Sequence, residues 1–233
     1  MIKHINKNIE LMNHNDNLVN KVMYMDSLAY ERLDGESGYT PTPPSEPKFY
    51  ATYSDGRTYT KECDGNSTLV HNDVKPNEPE YDFREMVTAT VGNCVDTLGD
   101  SSLYQCSGVT TLYLPDTLTT INPYSMTQMK SLTNLDIPSS VTYIGNGALS
   151  SLDSLTGITI PSLVTFLGGI SGNSLRYIIL EPITPPILNG NFPLNFTNNC
   201  RIYVPDDSLE LYKEANGWKN YKTRIHPLSE YQG

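Results

Sequence analysis

The feature that most constrains this chain is a repeat with a step of twenty-three residues. Units run over 86–108, 109–131 and 132–154, with a shortened copy from Leu155, and the same kind of residue returns in each column. The apolar columns are Met86/Val109/Leu132/Leu155, Ala89/Leu112/Leu135/Ile158, Val91/Leu114/Ile137/Ile160, Val95/Leu118/Val141/Val164 and Leu98/Ile121/Ile144/Leu167. Between the third and fourth lies a turn column, Gly92/Pro115/Pro138/Pro161. The column Gly99/Asn122/Gly145/Gly168 closes the second strand, and these residue types predict a turn with positive φ there. So short a unit buries its apolar edge only against the next copy, which predicts a stacked solenoid. With strands about 4.8 Å apart, five or so units make a rod about 25 Å long whose two ends need covering.

Sixteen Gly, sixteen Pro and sixteen Tyr against five Phe describe a turn-rich chain of short strands, and the fold class expected is mainly β. Residues 49–85 are read as the amino-terminal cover: FYATYSDGRTYTKE predicts a hairpin about Asp55 and Gly56, followed by a loop. Residues 86–199 carry the repeats and 200–233 the carboxyl-terminal cover. In the latter, CRIYV is a last strand with Pro205 in the turn column, and Asp206 or Asp207 is expected to cap a short helix. Leu209, Tyr212 and Ala215 share one face of that helix, Gly217 ends it, and Trp218, Tyr221 and Ile225 form a lid over the last strand. Ahead of all this, residues 1–33 are polar and too few to fold alone. Their apolar residues fit helical spacing at Leu18, Val22, Met25 and Ala29 and strand spacing at Val22, Tyr24, Leu28 and Tyr30, with strands preferred. Residues 34–48, with Pro41, Pro43, Pro44 and Pro47, read as an extended spacer between this arm and the rest.

Sixteen Lys and Arg against twenty-six Asp and Glu give a net charge of -10, which speaks against nucleic acid as a partner. No apolar run approaches the roughly 18 residues of a membrane span, so membrane insertion is not expected. Residues 1–20 show no apolar stretch of signal-peptide type. The expectation is a chain that stays in the cytoplasm or leaves it by another route. Cys63, Cys94, Cys106 and Cys200 are separated by 31, 12 and 94 residues, which fits neither a zinc pair nor a dense disulfide framework. They are read as buried thiols. His4, His14, His71 and His226 have no acid or nucleophile paired with them by sequence, and no GxSxG, HExxH, Walker or GxGxxG motif occurs. Neither catalysis nor a cofactor nor a metal is therefore expected.

The remaining candidate is a surface. Thr90, Tyr113, Asp136 and Thr159 occupy one outward column of the first strand, next to Thr88, Thr111, Asn134 and Gly157. Such a ladder of Thr, Asn, Asp and Tyr suits polar partners, glycans or loop backbones, while an ordinary solvated sheet face shows the same alternation. The candidate binding residues are Thr88, Thr90, Thr111, Tyr113, Asn134, Asp136 and Thr159.

The unit LTNLDIPSSVTYIGNGALSSLDSL resembles the BspA-like branch of leucine-rich repeat proteins, with Leu132, Leu135, Ile137, Pro138, Val141, Ile144, Gly145, Ala148 and Leu149 in that family's columns. Cys106 falls at the family's Cys column, where Met129 and Leu152 stand in later copies, and the resemblance implies a packing role for it. The ending CRIYVPDDSLELYKEANGWKNYKTRI is similar to the family's terminal cap, so the resemblance spans residues 86–228. Family members are typically exported surface proteins that bind host matrix or cells. Similar arrays behind similar hairpins occur in structural proteins of tailed phages of gut anaerobes, and a virion protein needs no export signal. The function expected is therefore a non-enzymatic virion protein: a head fibre, capsid decoration or tail appendage. Its residues 1–33 would dock to virion proteins and its repeats would meet host-surface glycan or protein, with homo-oligomerisation and copy number raising avidity. A bacterial surface adhesin is the alternative, and a glycan hydrolase with carboxylates spread over the repeats is a third reading.

Overall fold

A strand that must bury one edge against a copy of itself has to pair parallel and in register, and this is the arrangement observed. The computed structural model describes residues 47–75, 81–189 and 200–232, together with the backbone of 195–196. The chain starts with a hairpin, β1 (Pro47–Tyr53) and β2 (Thr58–Glu62), followed by β3 (Thr68–Leu69) and the single-turn helix α1 (His71–Val74). One series of strands then comprises β4 (Met86–Val91), β6 (Thr111–Tyr113), β9 (Gly157–Ile160), β12 (Tyr177–Leu180), β15 (Arg201–Val204) and β16 (Ile225–Pro227). The second comprises β3, β5 (Thr97–Leu98), β7 (Thr120–Ile121), β8 (Tyr143–Ile144), β10 (Phe166–Leu167) and β13 (Ile187–Leu188). On a third side β11 (Ser171–Gly172) pairs with β14 (Asn195–Phe196), and helix α2 (Leu209–Glu214) lies between β15 and β16 in sequence.

The register reproduces the step read from the sequence. Ala89 faces Leu112, and Leu98, Ile121, Ile144 and Leu167 follow one another across the six-stranded second sheet. Every member of the first, second, fourth and fifth apolar columns is buried, and together they form one continuous core. The first series is divided. Residues 132–137 keep the burial alternation, with Leu132 and Leu135 inside and Asn134 and Asp136 outside, but form no strand, so β6 closes one four-stranded sheet and β9 opens another.

Hydrogen bonds run both ways along the stack. Asn122, Gly145 and Gly168 donate backward to Leu98, Ile121 and Ile144, whereas Ser101, Leu103, Tyr124 and Met126 donate forward to Pro123, Ser125, Asn146 and Ala148. Each copy is thus tied to both neighbours. The closing column differs from expectation in its reason: Gly99, Gly145 and Gly168 do not adopt positive φ. They are glycine because the neighbouring copy comes too close, since a Cβ at 145 would lie 2.5 Å from the Pro123 nitrogen and one at 168 would lie 2.3 Å from the Gly145 oxygen. The left-handed positions fall later in the turn and recur with the repeat, at Ser101, Tyr124 and Gly147 and again at Gln105, Gln128 and Ser151.

β1 pairs antiparallel with both β2 and β4, turning Phe49, Ala51 and Tyr53 into the core at the first copy. Pro47 and Lys48, the last residues of the Pro-rich stretch, already belong to β1; the arm at 1–33 and the rest of the spacer lie outside the described residues. Lys48 is fully buried, with Nζ 3.0 Å from Asp64 and 3.0 Å from Asp73. Burial works against its charge, but hydrogen bonds to Asp64 and Asp73 outweigh that and hold its pKa above the ordinary ammonium value.

The four cysteines are not four buried thiols as expected. Cys63 and Cys94 form a disulfide, and only Cys106 and Cys200 are free and buried. The pairing is invisible in the spacing because it depends on sheet order: β1 lies between β2 and β4, so the residues just past the ends of β2 and β4 meet across it. Burial pushes both free thiols up to about 12, which makes them packing groups with no nucleophilic character.

At the other end Tyr212 and Trp218 are fully buried and meet edge to face at 5.4 Å. The Tyr212 hydroxyl donates to the Pro182 carbonyl and the Trp218 indole N–H to that of Pro186, both at 2.7 Å. These two buried donors tie residues 212–218 to the segment 182–186. Neither Asp206 nor Asp207 caps α2 through its side chain as expected; the Asp206 carboxylate accepts instead from the Ser229 N–H at 3.0 Å, drawing the final residues back towards β15.

Candidate functional site

The outward face of the first series is built by strand alternation. With Ala89, Leu112 and Ile158 turned inward, their flanking residues must point out. All seven candidate residues lie on this face. Thr88 and Thr90 on β4 are half-buried and stand in register with Thr111 and Tyr113 on β6. Thr88 also meets Thr52 of β1 at 2.6 Å between hydroxyl oxygens. Asn134 and Asp136 are exposed, and the Asn134 amide donates to the Asp136 carboxylate at 3.1 Å. Thr159 follows on β9.

The face extends beyond those seven. In register with Gly157 stand Tyr177 on β12 and Arg201 on β15, and in register with Thr159 stand Ile179, Tyr203 and then His226 on β16. Sequence reasoning missed these because the step breaks: Gly157 pairs with Tyr177 and Tyr177 with Arg201, so the twenty-three-residue count no longer locates the column. The signal that could have found them is the alternation in YIIL and RIYV.

Aromatic rings gather at this end. Tyr231, brought back by the final residues, lies 5.0 Å from the Tyr177 ring and 5.1 Å from that of Tyr203. A hydrogen bond with Tyr177, and burial after it, push the Tyr231 phenol up to about 12. The His226 ring lies 6.0 Å from that of Tyr203, tilted by 43°, and its Nδ1 lies 3.2 Å from the Glu230 carboxylate, an acid partner that the sequence did not show.

The outward face of the second sheet is different in kind. Thr119, Thr142 and Thr165 direct their hydroxyls to the carbonyls of Asp96, Thr119 and Thr142, which makes that column part of the stack itself. Beside it Tyr143 and Phe166 stack at 5.0 Å with 16° between planes. Among the described residues no group of three or more His, Cys, Asp or Glu is placed to hold a metal ion, and no helix is long and apolar enough to cross a membrane.

Parallel strands in register at a near-constant residue step, with Leu, Ile and Val inside, define a leucine-rich repeat protein. The BspA type leucine rich repeat region matches in six copies over residues 80–200, and the chain belongs to that family. No curated protein matches the chain. Among solved structures it is similar to a leucine-rich repeat protein from Bacteroides ovatus, with 18% identity and a TM-score of 0.42, covering 71% of this chain and 48% of that one. It is also similar to the pneumococcal vaccine antigen PcpA, with 14% identity and a TM-score of 0.46, covering 78% of this chain and 46% of that one. This chain thus spans about half the length of either protein.

Proposed function

We propose that the protein is a non-enzymatic adhesion module, a short capped solenoid displayed on the outside of a particle or cell, whose outward face on the first series meets host-surface glycan or protein. The observation that carries this reading is the contrast between columns. Inward columns repeat one residue class, whereas the outward columns run Thr88, Thr111, Asn134, Gly157, Tyr177, Arg201 and Thr90, Tyr113, Asp136, Thr159, Ile179, Tyr203. The stack does not require that variety, so recognition is the better account of it.

The Cys63–Cys94 disulfide supports display outside a reducing cytosol. A virion appendage released by lysis meets that condition, with residues 1–33 docking to virion proteins and the Pro-rich spacer projecting the repeats. A bacterial surface adhesin meets it equally. In either setting homo-oligomers or dense display would raise weak single contacts to useful avidity.

The test is binding of the labelled full chain to immobilised mucin and to cells of gut anaerobes. Tyr113→Ala with Asp136→Ala should lose binding, and Thr142→Ala with Thr165→Ala on the second sheet should keep it. Equal binding by both variants would sink the reading. Immunoblots of purified phage particles and of washed cell surfaces then separate the two carriers.

A further inference from the structure

We infer that the outward face of β9, β12 and β15 holds a stacking site for a neutral pyranose oligosaccharide, with Tyr177 as its floor and Tyr231 as its wall. This rests on the reading of the face as adhesive and adds the chemistry of its ligand. The site is built around an absent side chain. Gly157 leaves open the space that the Tyr177 ring fills, for a Cβ at 157 would come within 2.0 Å of Cζ and 2.3 Å of Cε2 of that ring. Tyr177 therefore leans across β9 instead of standing upright from the sheet. Tyr231 meets it at 53°, and Tyr203, nearly buried, supports Tyr231 from below. The two half-buried rings make an apolar corner, with Ile179 in the next column, on a face that is polar in the earlier copies.

A pyranose has a face of C–H groups and a rim of hydroxyls, so it needs an aromatic surface bordered by donors and acceptors. Those groups lie around it: the exposed Arg201 next to Tyr177 in the same column, Thr159 in the adjoining column, and Asn134 with Asp136 in these two columns one copy before β9. The Asn134 amide donates to one Asp136 oxygen, which leaves the other carboxylate oxygen and the amide oxygen to accept from sugar hydroxyls. The net charge of -10 disfavours sulfated and sialylated chains and selects neutral ones. On the second sheet Tyr143 and Phe166 stack on one another, so each has one face taken by the other and they form no corner of the kind that Tyr177 and Tyr231 make at 53°.

The test is calorimetric titration of the full chain with hexa-N-acetylchitohexaose and cellohexaose, both neutral, and with a heparin hexasaccharide as the anionic comparison. At least one neutral hexasaccharide should bind and heparin should not. Tyr177→Ala should weaken binding about tenfold or more, as removal of a central aromatic anchor does. Tyr177→Phe should keep it, and Gly157→Ala should weaken it with every aromatic residue still present, because the new methyl displaces the ring. Binding unchanged in Tyr177→Ala, preference for heparin, or no binding of either neutral sugar overturns the site. Mucin adhesion of the same variants separates this from failure of the broader reading. Adhesion kept in Tyr177→Ala but lost in Tyr113→Ala with Asp136→Ala overturns the sugar site and retains the adhesive face, whereas adhesion unaffected by any of them overturns both.

Discussion

Reducing the Cys63–Cys94 bond should loosen one end of the molecule and leave the other untouched. The bond closes a loop with a sequence separation of 31. In the chain-entropy treatment a loop of that size constrains the unfolded chain by about 4 kcal/mol. The gain does not spread evenly, because each copy contacts only its neighbours and stability adds along the stack. It falls on β1, β2 and β4, where Phe49, Ala51 and Tyr53 complete the core of the first copy. Those side chains should keep the hairpin docked after reduction, so the expected result is easier local opening, not unfolding. About 4 kcal/mol corresponds to roughly a several-hundredfold faster amide exchange for Tyr50, Thr52 and Thr88. Exchange in β9 and β12 should not change. The single tryptophan gives a second probe, since Trp218 is buried in the closing segment and should report the same denaturation midpoint with and without reductant. A less than tenfold change in β1 exchange, or a shift of the Trp218 midpoint to match, would refute the reasoning.

Lys48→Met should cost about 3 kcal/mol in urea denaturation, because it leaves the buried Asp73 carboxylate with only Lys61 at 3.8 Å and the Val70 N–H as partners, and adding Asp73→Asn, which keeps an acceptor for Val70, should recover part of that loss. The hydrogen bond from Lys48 holds the Asp64 pKa below its ordinary value of 3.8, so Asp64 contributes stability above that pH and loses it as pH falls through the lower folded value. Lys48, raised above 10.5, contributes below that pH and loses its contribution only as pH rises through its folded value. The opening free energy of β1, taken from exchange rates corrected for the intrinsic pH dependence of amide exchange, should therefore be flat across the neutral range and fall at both extremes, and a fall between pH 5 and 8 would contradict it. Ser101→Gly, at a left-handed φ of 56°, should raise stability by up to about 1 kcal/mol in thermal unfolding, and Ser101→Val should lower it by more.

The repeat was legible because it is enforced twice, once by burial and once by the ladder. Val95, Leu118, Val141 and Val164 are apolar for the first reason, and the constant step between Leu98, Ile121 and Ile144 follows from the second. What the sequence concealed depends on contacts between copies. Gly145 reads as a turn glycine, but the Pro123 backbone is what excludes its side chain. Asp206 reads as a helix cap, but Ser229, twenty-three residues on, takes its carboxylate. The disulfide could be found only once β1 was placed between β2 and β4. Of the candidate face, the half with constant spacing was found and the half with Tyr177 and Arg201 was not, because the shortened copy shifts the count there.

A repeat protein carries its own comparison set, since each copy answers the same packing problem as its neighbours. Columns under packing constraint should hold one residue class, and the inward columns do. Columns whose polar groups serve the stack should hold one side chain, and Thr119, Thr142 and Thr165 do, each hydroxyl reaching back to the carbonyl of the preceding copy. The outward columns of the first series satisfy neither condition. They pass from Thr88 through Asn134 and Gly157 to Tyr177 and Arg201, and the one glycine in them is where a neighbouring ring lies down. Difference among copies where the fold is indifferent is the pattern expected where a partner, not the core, sets the residue, and it is the ground on which recognition is proposed for this face and its aromatic end.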